Sequence, residues 1–414
     1  MPIALIILLL LISAQQTLAT CIGASEDSNQ QVASPVESLS QIDAVVDKAL
    51  TAGNIPGAVV LVGHQGCVVF EKAYGNRSVE PTVEAMSLDT IFDLASLTKV
   101  VATTPSVMVL LQQGKLRLDD PVVKYIPAFA QRGKAKITIR HLLIHYSGLP
   151  ADLRLSKRRR YTKAAEAILT KIYQIKPVAS PGTRFIYSDL GFIVLGKIVE
   201  RVSGKTLDRF AQQNIFSPLM MNSTRFLPRS LGLNLIAPTE WRKDGRIMRG
   251  EVHDPLSAKL GGVAGDAGLF SSARDLAKFC QMILNQGRLD EAEILKSEIV
   301  GEMTSPQSPR GKEDIRGFGW DINSTYSSPK GSYFSSRSFG HTGYTGTSLW
   351  IDPETQTYLV ILTNRVHPNG KGNVKELRQE IADIVGAAFK PSVKDLSSSV
   401  SLETSHRDSA VTFK

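Results

Sequence analysis

Hydrophobic and polar positions divide the chain into a strand-rich beginning, a helix-rich middle and a strand-rich end. Over residues 40–52 apolar positions recur with the helical period, and Gly53 marks the stop. Two apolar runs follow, residues 57–63 and 67–75, joined through His64-Gln65-Gly66 as a hairpin. A long apolar helix pattern then opens at Ser96 and is broken by the Gly/Asp/Pro-containing stretch 114–121. Residues 121–285 read as helical segments separated by Pro/Gly loops. Strands return at 348–352 and 357–363 about a Pro353-Glu354-Thr355 turn, and a last helix covers 373–389. Strands at both ends with helices between predict an α+β fold. Its central antiparallel sheet is built from both termini and flanked by helices, with a mainly helical lobe over roughly 115–285.

Within that frame the Ser96 helix carries a candidate nucleophile. Ser96 and Lys99 lie three residues apart, on one helical face, so the hydroxyl and the amine are expected to meet. A lysine whose ammonium form is disfavoured by burial takes the hydroxyl proton and makes a nucleophile of the serine. The same spacing recurs at Ser327 and Lys330, where Pro329 argues against a helix. Two further stretches supply complementary chemistry. Tyr187-Ser188-Asp189 precedes a helix pattern over 192–202, which places a phenol and a carboxylate in a loop able to face a cleft. A phenol close to Lys99 can relay protons to a leaving group. His341-Thr342-Gly343-Tyr344 leads into a strand, with glycines that allow close approach of a substrate and leave N–H groups free to meet an oxyanion.

These three stretches, in this order, resemble the motifs of the penicillin-recognising serine hydrolases: class C β-lactamases, D,D-carboxypeptidases and related esterases. The likeness runs from about residue 40 to 390. It extends to His141-Leu142-Leu143-Ile144-His145-Tyr146-Ser147-Gly148-Leu149-Pro150 and to Ala264-Gly265-Asp266-Ala267-Gly268-Leu269-Phe270-Ser271-Ser272-Ala273. The resemblance implies a β-lactamase/transpeptidase-like fold and an acyl-enzyme on Ser96. Lys99 and Tyr187 would be the acid/base pair, and the N–H groups of Ser96 and Tyr344 the oxyanion hole. His341 stands where the family carries lysine, so the charge that meets a substrate carboxylate would depend on its protonation. Asp189 stands where asparagine is usual. Together with Thr342, Gly343, Arg365 and Asn369 it is expected to contact substrate, the last two lying in Asn364-Arg365-Val366-His367-Pro368-Asn369. Implied substrates are D-amino-acid peptides, cell-wall fragments or carboxylic esters, with weak β-lactam turnover. No cofactor or metal is expected: His141 and His145 have i, i+4 spacing, but no Glu follows His141 as in His-Glu-x-x-His. The competing expectation is an idle penicillin-binding or scaffolding protein of the same fold.

Composition changes the picture mainly at the ends. The 414 residues are 43% hydrophobic and carry a formal charge of +9, enough for one large domain over 39–390 with no linker or repeat dividing it. Residues 3–12 form an apolar run too short to span a bilayer but right for a signal peptide, here placed at 1–20. Leu18-Ala19-Thr20-Cys21 also resembles a lipoprotein box, so Cys21 is a candidate lipid anchor. Export to the periplasm or beyond follows from either reading. Residues 21–38 read as a flexible spacer and 391–414 as a disordered tail. Cys67 and Cys280 are expected to be buried free thiols. The basic run Lys157-Arg158-Arg159-Arg160 reads as a solvated face or as a contact with anionic cell-envelope polymers; nucleic acid is not an expected partner.

Overall fold

The structure is a computed structural model that describes residues 20–21, 35–153 and 164–390. Among them, nine antiparallel strands form the central sheet: β1 (Thr20–Cys21), β2 (Gly57–His64), β3 (Cys67–Ser78), β4 (Glu84–Ala85), β5 (Ile315–Arg316), β6 (Asp321–Asn323), β7 (Phe339–Thr342), β8 (Ser348–Asp352) and β9 (Thr357–Thr363). Their order is β1-β3-β2-β9-β8-β7-β6-β5, with β4 pairing to β3. The first hairpin therefore lies beside the last, in the register Val60↔Ile361 and Val62↔Leu359. The expected sheet built from both ends is what forms.

Alternation along β2 and β9 sends side chains to two cores. Val60, Val62, Leu359 and Ile361 pack against helices α1 (Gln41–Thr51) and, near the C-terminus, Lys375–Ala388, through Ile42, Val46, Ile381 and Val385. Val59, Leu61, Val360 and Leu362 face the larger core, which holds helices α2 (Thr104–Gln112), α3 (Asp189–Ser203) and α4 (Ala273–Leu284). The terminal helix is α5. Both faces are covered, which is why these strands read as continuous apolar runs rather than alternating ones. Each fully buried Val, Leu or Ile contributes about 1.5–3 kcal/mol of transfer free energy.

A second, three-stranded sheet joins the two lobes. Phe92–Asp93 pairs with Leu269–Ser271, which pairs with Arg225–Phe226. Through it the segment that leads into Ser96 is fixed between the central sheet and the helices of residues 115–285.

Three expectations are corrected. A short helix spans Pro35–Leu39 inside the stretch read as spacer, because Leu39 is fully buried beside Ile42 and Leu377. Cys67 is disulfide-bonded rather than a free thiol; Cys280 is free and buried in α4. Residues Ser328–Lys330 make a single 3-10 turn with Pro329 at its start, where the missing N–H would have had no helical partner. The signal segment before Thr20, the tail 391–414 and the basic run Lys157–Arg160 lie outside the described residues.

Candidate active site

The nucleophile sits on a turn that the chain must be held to make. Ala95 has φ 47°, a left-handed conformation costing an L-residue roughly 1–2 kcal/mol. The buried carboxylate of Asp93 accepts the Ala95 N–H at 2.9 Å, and the Thr98 hydroxyl donates to the Ala95 carbonyl at 2.6 Å. Beyond the turn a π-helical segment, Lys99–Thr103, runs into α2. Everything from Thr90 to Leu110 is buried except Ser96, which alone in that stretch reaches solvent.

Lys99 lies directly beneath it, wholly buried. Its Nζ donates to Ser96 Oγ at 2.9 Å and to the Asp266 carbonyl at 2.9 Å, and pairs with Asp189 Oδ1 at 2.7 Å. Burial pushes the ammonium toward neutrality, but the Asp189 carboxylate, with Tyr187 and Asp266, outweighs it and raises the Lys99 pKa above the ordinary lysine value. The expectation of a lysine neutralised by burial is therefore corrected: in the resting site Lys99 is an ammonium. Asp189, expected to contact substrate, is partly exposed and pairs its carboxylate with this lysine.

Tyr187 enters from the turn before α3, whose N-cap Ser188 accepts the Gly191 N–H at 3.3 Å. Its ring centroid lies 5.1 Å from Lys99 Nζ, and it lines the same cavity as Ser96. Burial, with Asp189, raises the phenol's pKa against the lowering effect of Lys99, so the resting group is a neutral phenol. The conformation is set by the His141–Pro150 stretch. His145 stacks on the Tyr187 ring at 4.5 Å, and its Nδ1 accepts the Ser188 N–H at 3.0 Å. Ser188 Oγ donates to the Pro150 carbonyl at 2.7 Å and the Ile186 N–H to the His145 carbonyl at 2.9 Å. Burial first, then the nearby Arg316, Lys99 and His341, keeps His145 neutral. His145 is a platform for the tyrosine.

Strand β7 closes the opposite side. Thr345 Oγ1 donates to the Asp93 carbonyl at 2.7 Å and Thr347 Oγ1 to the Leu94 carbonyl at 3.0 Å, tying the strand end to the Ser96 turn. Gly343 is required by that approach: a Cβ there would stand 2.4 Å from the Leu94 carbonyl oxygen and 2.2 Å from Thr347 Oγ1. Neither the Ser96 nor the Tyr344 amide donates to an acceptor among the described residues. Two N–H groups on adjoining turns are thus left for a developing oxyanion.

His341 is 4% exposed, and its Nδ1 lies 2.8 Å from the Thr342 carbonyl, which makes Nδ1 the protonated nitrogen and leaves Nε2 a lone pair. Burial, Arg316 and Lys99 hold its pKa well below the usual histidine value. His341 therefore rests as a neutral imidazole and supplies no positive charge for a substrate carboxylate.

A cavity of about 280 Å³ opens over Ser96, lined among others by Tyr187, His341, Thr342, Gly343, Tyr344 and Arg365. Tyr326 and Tyr344 stand exposed at its mouth. The structure so brings together every candidate but Asn369, which is exposed and spends its Oδ1 on the Lys371 N–H at 3.1 Å. Asn364 and His367 of the same stretch are structural, whereas Arg365 lines the cavity: Asn364 Nδ2 donates to the Arg77 and Pro238 carbonyls, and His367 Nδ1 donates to the Thr239 carbonyl at 2.8 Å.

Four lining residues escaped the sequence reading, Arg316, Asp321, Tyr326 and Arg378. None lies in a motif. Arg378 occupies the buried stripe of α5 with Ala382 and Val385, so an arginine at an apolar position of a helical period was the available signal.

The beta-lactamase family model matches residues 42–383. The chain is 34% identical over 378 residues to a protein of Escherichia coli strain K12 named "Putative D-alanyl-D-alanine carboxypeptidase", covering 83% of this chain and 86% of that one. It is 32% identical over 362 residues to an N-acetylmuramyl-L-alanine amidase of Bacillus subtilis strain 168, covering 80% and 81%. Among solved structures, the octameric penicillin-binding protein homologue from Pyrococcus abyssi aligns with TM-score 0.63 at 25% identity, covering 81% of this chain and 74% of that one. EstCE1, a hydrolase with promiscuous acyltransferase activity, shares the fold with TM-score 0.69 at 23% identity over 85% and 99%.

Proposed function

Because the chain belongs to the beta-lactamase family and is a serine hydrolase of that fold, we propose that it is exported and hydrolyses D-amino-acid peptides of cell-wall type or carboxylic esters through an acyl-enzyme on Ser96. The observation that carries this reading is Lys99 Nζ 2.9 Å from the Oγ of a solvent-reaching Ser96, with the Tyr187 ring 5.1 Å from the same Nζ in one cavity. Export is supported by the apolar run at residues 3–12 and by the cell-wall activities that the relatives' names print.

The resting site holds one proton too many for attack, since Lys99 is an ammonium and Tyr187 a phenol. Loss of one proton from this pair creates the base. Ser96 Oγ gives its proton to that base as the Oγ–carbonyl bond forms, and the amides of Ser96 and Tyr344 receive the oxyanion. Collapse breaks the bond to the amine or alcohol, which takes a proton through Tyr187. Water then repeats the sequence on the acyl-enzyme and releases the acid.

One observation favours a second reading, an idle binding protein: the Asp189–Lys99 pair disfavours the free amine. Substrate turnover separates the two. Wild type and Ser96→Ala are assayed on p-nitrophenyl acetate, a D-Ala-D-Ala peptide and nitrocefin, with intact-protein mass spectrometry for the acyl adduct. Turnover and an adduct, both lost in Ser96→Ala with the fold retained, are expected. Residual activity in Ser96→Ala within tenfold of wild type overturns the assignment. Labelling by a penicillin with no turnover of any substrate favours the binding protein.

A further inference from the structure

Three guanidiniums line the cavity beside Ser96, and only one has a carboxylate. Arg316 is wholly buried, with Nη1 3.6 Å from Asp321 Oδ1 and Nη2 donating to the Gly319 carbonyl at 2.9 Å. Arg365 and Arg378 meet no carboxylate among the described residues. Arg365 lies over the Tyr344 ring at 4.5 Å and donates one N–H to the Gly372 carbonyl at 2.8 Å. Arg378 reaches out of α5 and is 9% exposed. Its Nη2 donates to the carbonyls of Gly343 at 2.9 Å and Thr347 at 2.6 Å, while its Nε has no partner.

A buried cation with no counter-charge is costly, and a second cation beside it makes it more so. Burial and the neighbouring Arg365 together push Arg378 down to about 9, still charged at neutral pH. Nothing in the fold requires this arrangement. Carbonyl caps for Gly343 and Thr347 need a donor, not two unneutralised charges. The neutral His341 adds no charge of its own, so anion attraction in this cavity comes from the two arginines.

We propose that Arg378 and Arg365 form a subsite for the leaving group, and that the preferred leaving group carries two acidic groups close together, as a dicarboxylic amino or hydroxy acid does. The placement rests on the acyl-enzyme reading above: Tyr187, which protonates the departing atom, lines the same cavity as both arginines. A single carboxylate would leave one net positive charge in the cavity; two carboxylates match it.

Three acetate esters share a phenolic leaving group bearing zero, one or two carboxylates: phenyl acetate, 3-acetoxybenzoate and 5-acetoxyisophthalate. Each kcat/KM is divided by the ester's rate with hydroxide, which removes intrinsic reactivity. The wild type is expected to gain about tenfold per carboxylate, the scale of one charge-assisted hydrogen bond. Arg365→Met and Arg378→Met should each remove the step from one carboxylate to two, and Arg378→Lys should restore part of it. Because Arg378 also holds two carbonyls of the strand end, Arg365→Met is the variant that reads charge without that support. A wild type that does not prefer the diacid over the monoacid overturns the proposal, as does a preference that survives both methionine variants. Calorimetric binding of 5-hydroxyisophthalate against 3-hydroxybenzoate to the full-length protein gives the same ranking without turnover. Failure of Ser96-dependent hydrolysis would thus remove the acyl-enzyme reading while the binding order still decides the subsite.

Discussion

Replacing Asp189 by asparagine should move the enzyme's pH dependence to lower pH. Lys99 is wholly buried, and Asp189, whose side chain is 30% exposed, holds its ammonium at 2.7 Å. An opposite charge at that range raises a lysine by about one to three pKa units, which at 1.36 kcal/mol per unit is roughly 1.4–4 kcal/mol of preference for the charged form. The gross Coulomb attraction is larger, but burial of the ammonium works against it. If Ser96 is activated only after Lys99 or Tyr187 loses a proton, log kcat/KM of the wild type rises with pH into the alkaline range. In Asp189→Asn the carboxylate is gone, burial regains the upper hand, and the rise should shift down by about one to three pH units. The assay is the pH profile of a neutral ester from pH 5 to 10: the wild type should still be rising at the alkaline end, and Asp189→Asn should bend over inside the range, the bend rather than the plateau being read. The plateau also reports any loss of positioning. An inflection that stays where it was, or moves upward, would refute the claim that Asp189 keeps the site in its resting protonation.

Three further outcomes are expected. Asp93 is pushed up to about 6 by burial, against the N–H groups of His253 and Ala95, so it favours the protonated form in the fold; relative to Asp93→Asn, wild-type stability should fall by about 2–3 kcal/mol as pH rises from 4 to 7, and parallel urea midpoints would contradict this. Gly343→Ala forces the strand end away from Leu94 and should lower kcat about a hundredfold by displacing the Tyr344 amide, with kcat unchanged as the contrary result. His341→Lys would set an ammonium in a 4% exposed position already near Arg316 and Lys99, and should cost about 2–4 kcal/mol in urea unfolding.

Legibility in the sequence followed the range of the forces involved. Strands β8 and β9 and their turn fall where the apolar runs place them, because period and turn residues are local signals. The Ser96–Lys99 contact was readable from the i, i+3 spacing, although Ser96 itself sits on the turn that enters the helix rather than on it. Charge states were not. Whether Lys99 is an ammonium depends on Asp189, ninety residues away, and whether His341 is neutral depends on Arg316 and burial. Asn369 shows the converse. Its motif suggested a substrate contact, yet the bonds of Asn364 and His367 hold the stretch so that Arg365 lines the cavity while Asn369 is exposed and bonds to the Lys371 N–H.

The histidine at position 341 acquires its meaning from that same distribution of charge. A lysine there would supply a cation from strand β7 itself. In this chain the cations come from elsewhere: Arg316 beside β6, Arg365 after β9 and Arg378 from α5. With those guanidiniums and Lys99 close by, a fourth or fifth positive charge on β7 would be repelled, and a side chain able to remain neutral fits where lysine would not. Histidine donates from Nδ1 to the Thr342 carbonyl and leaves Nε2 buried without a partner. In this chain the positive charge beside the strand comes from the helix behind it, where a guanidinium also holds the Gly343 carbonyl in place. Anion recognition and the geometry of the oxyanion strand are then linked through one residue, so a substrate that neutralises Arg378 also acts on the segment that bears the Tyr344 amide.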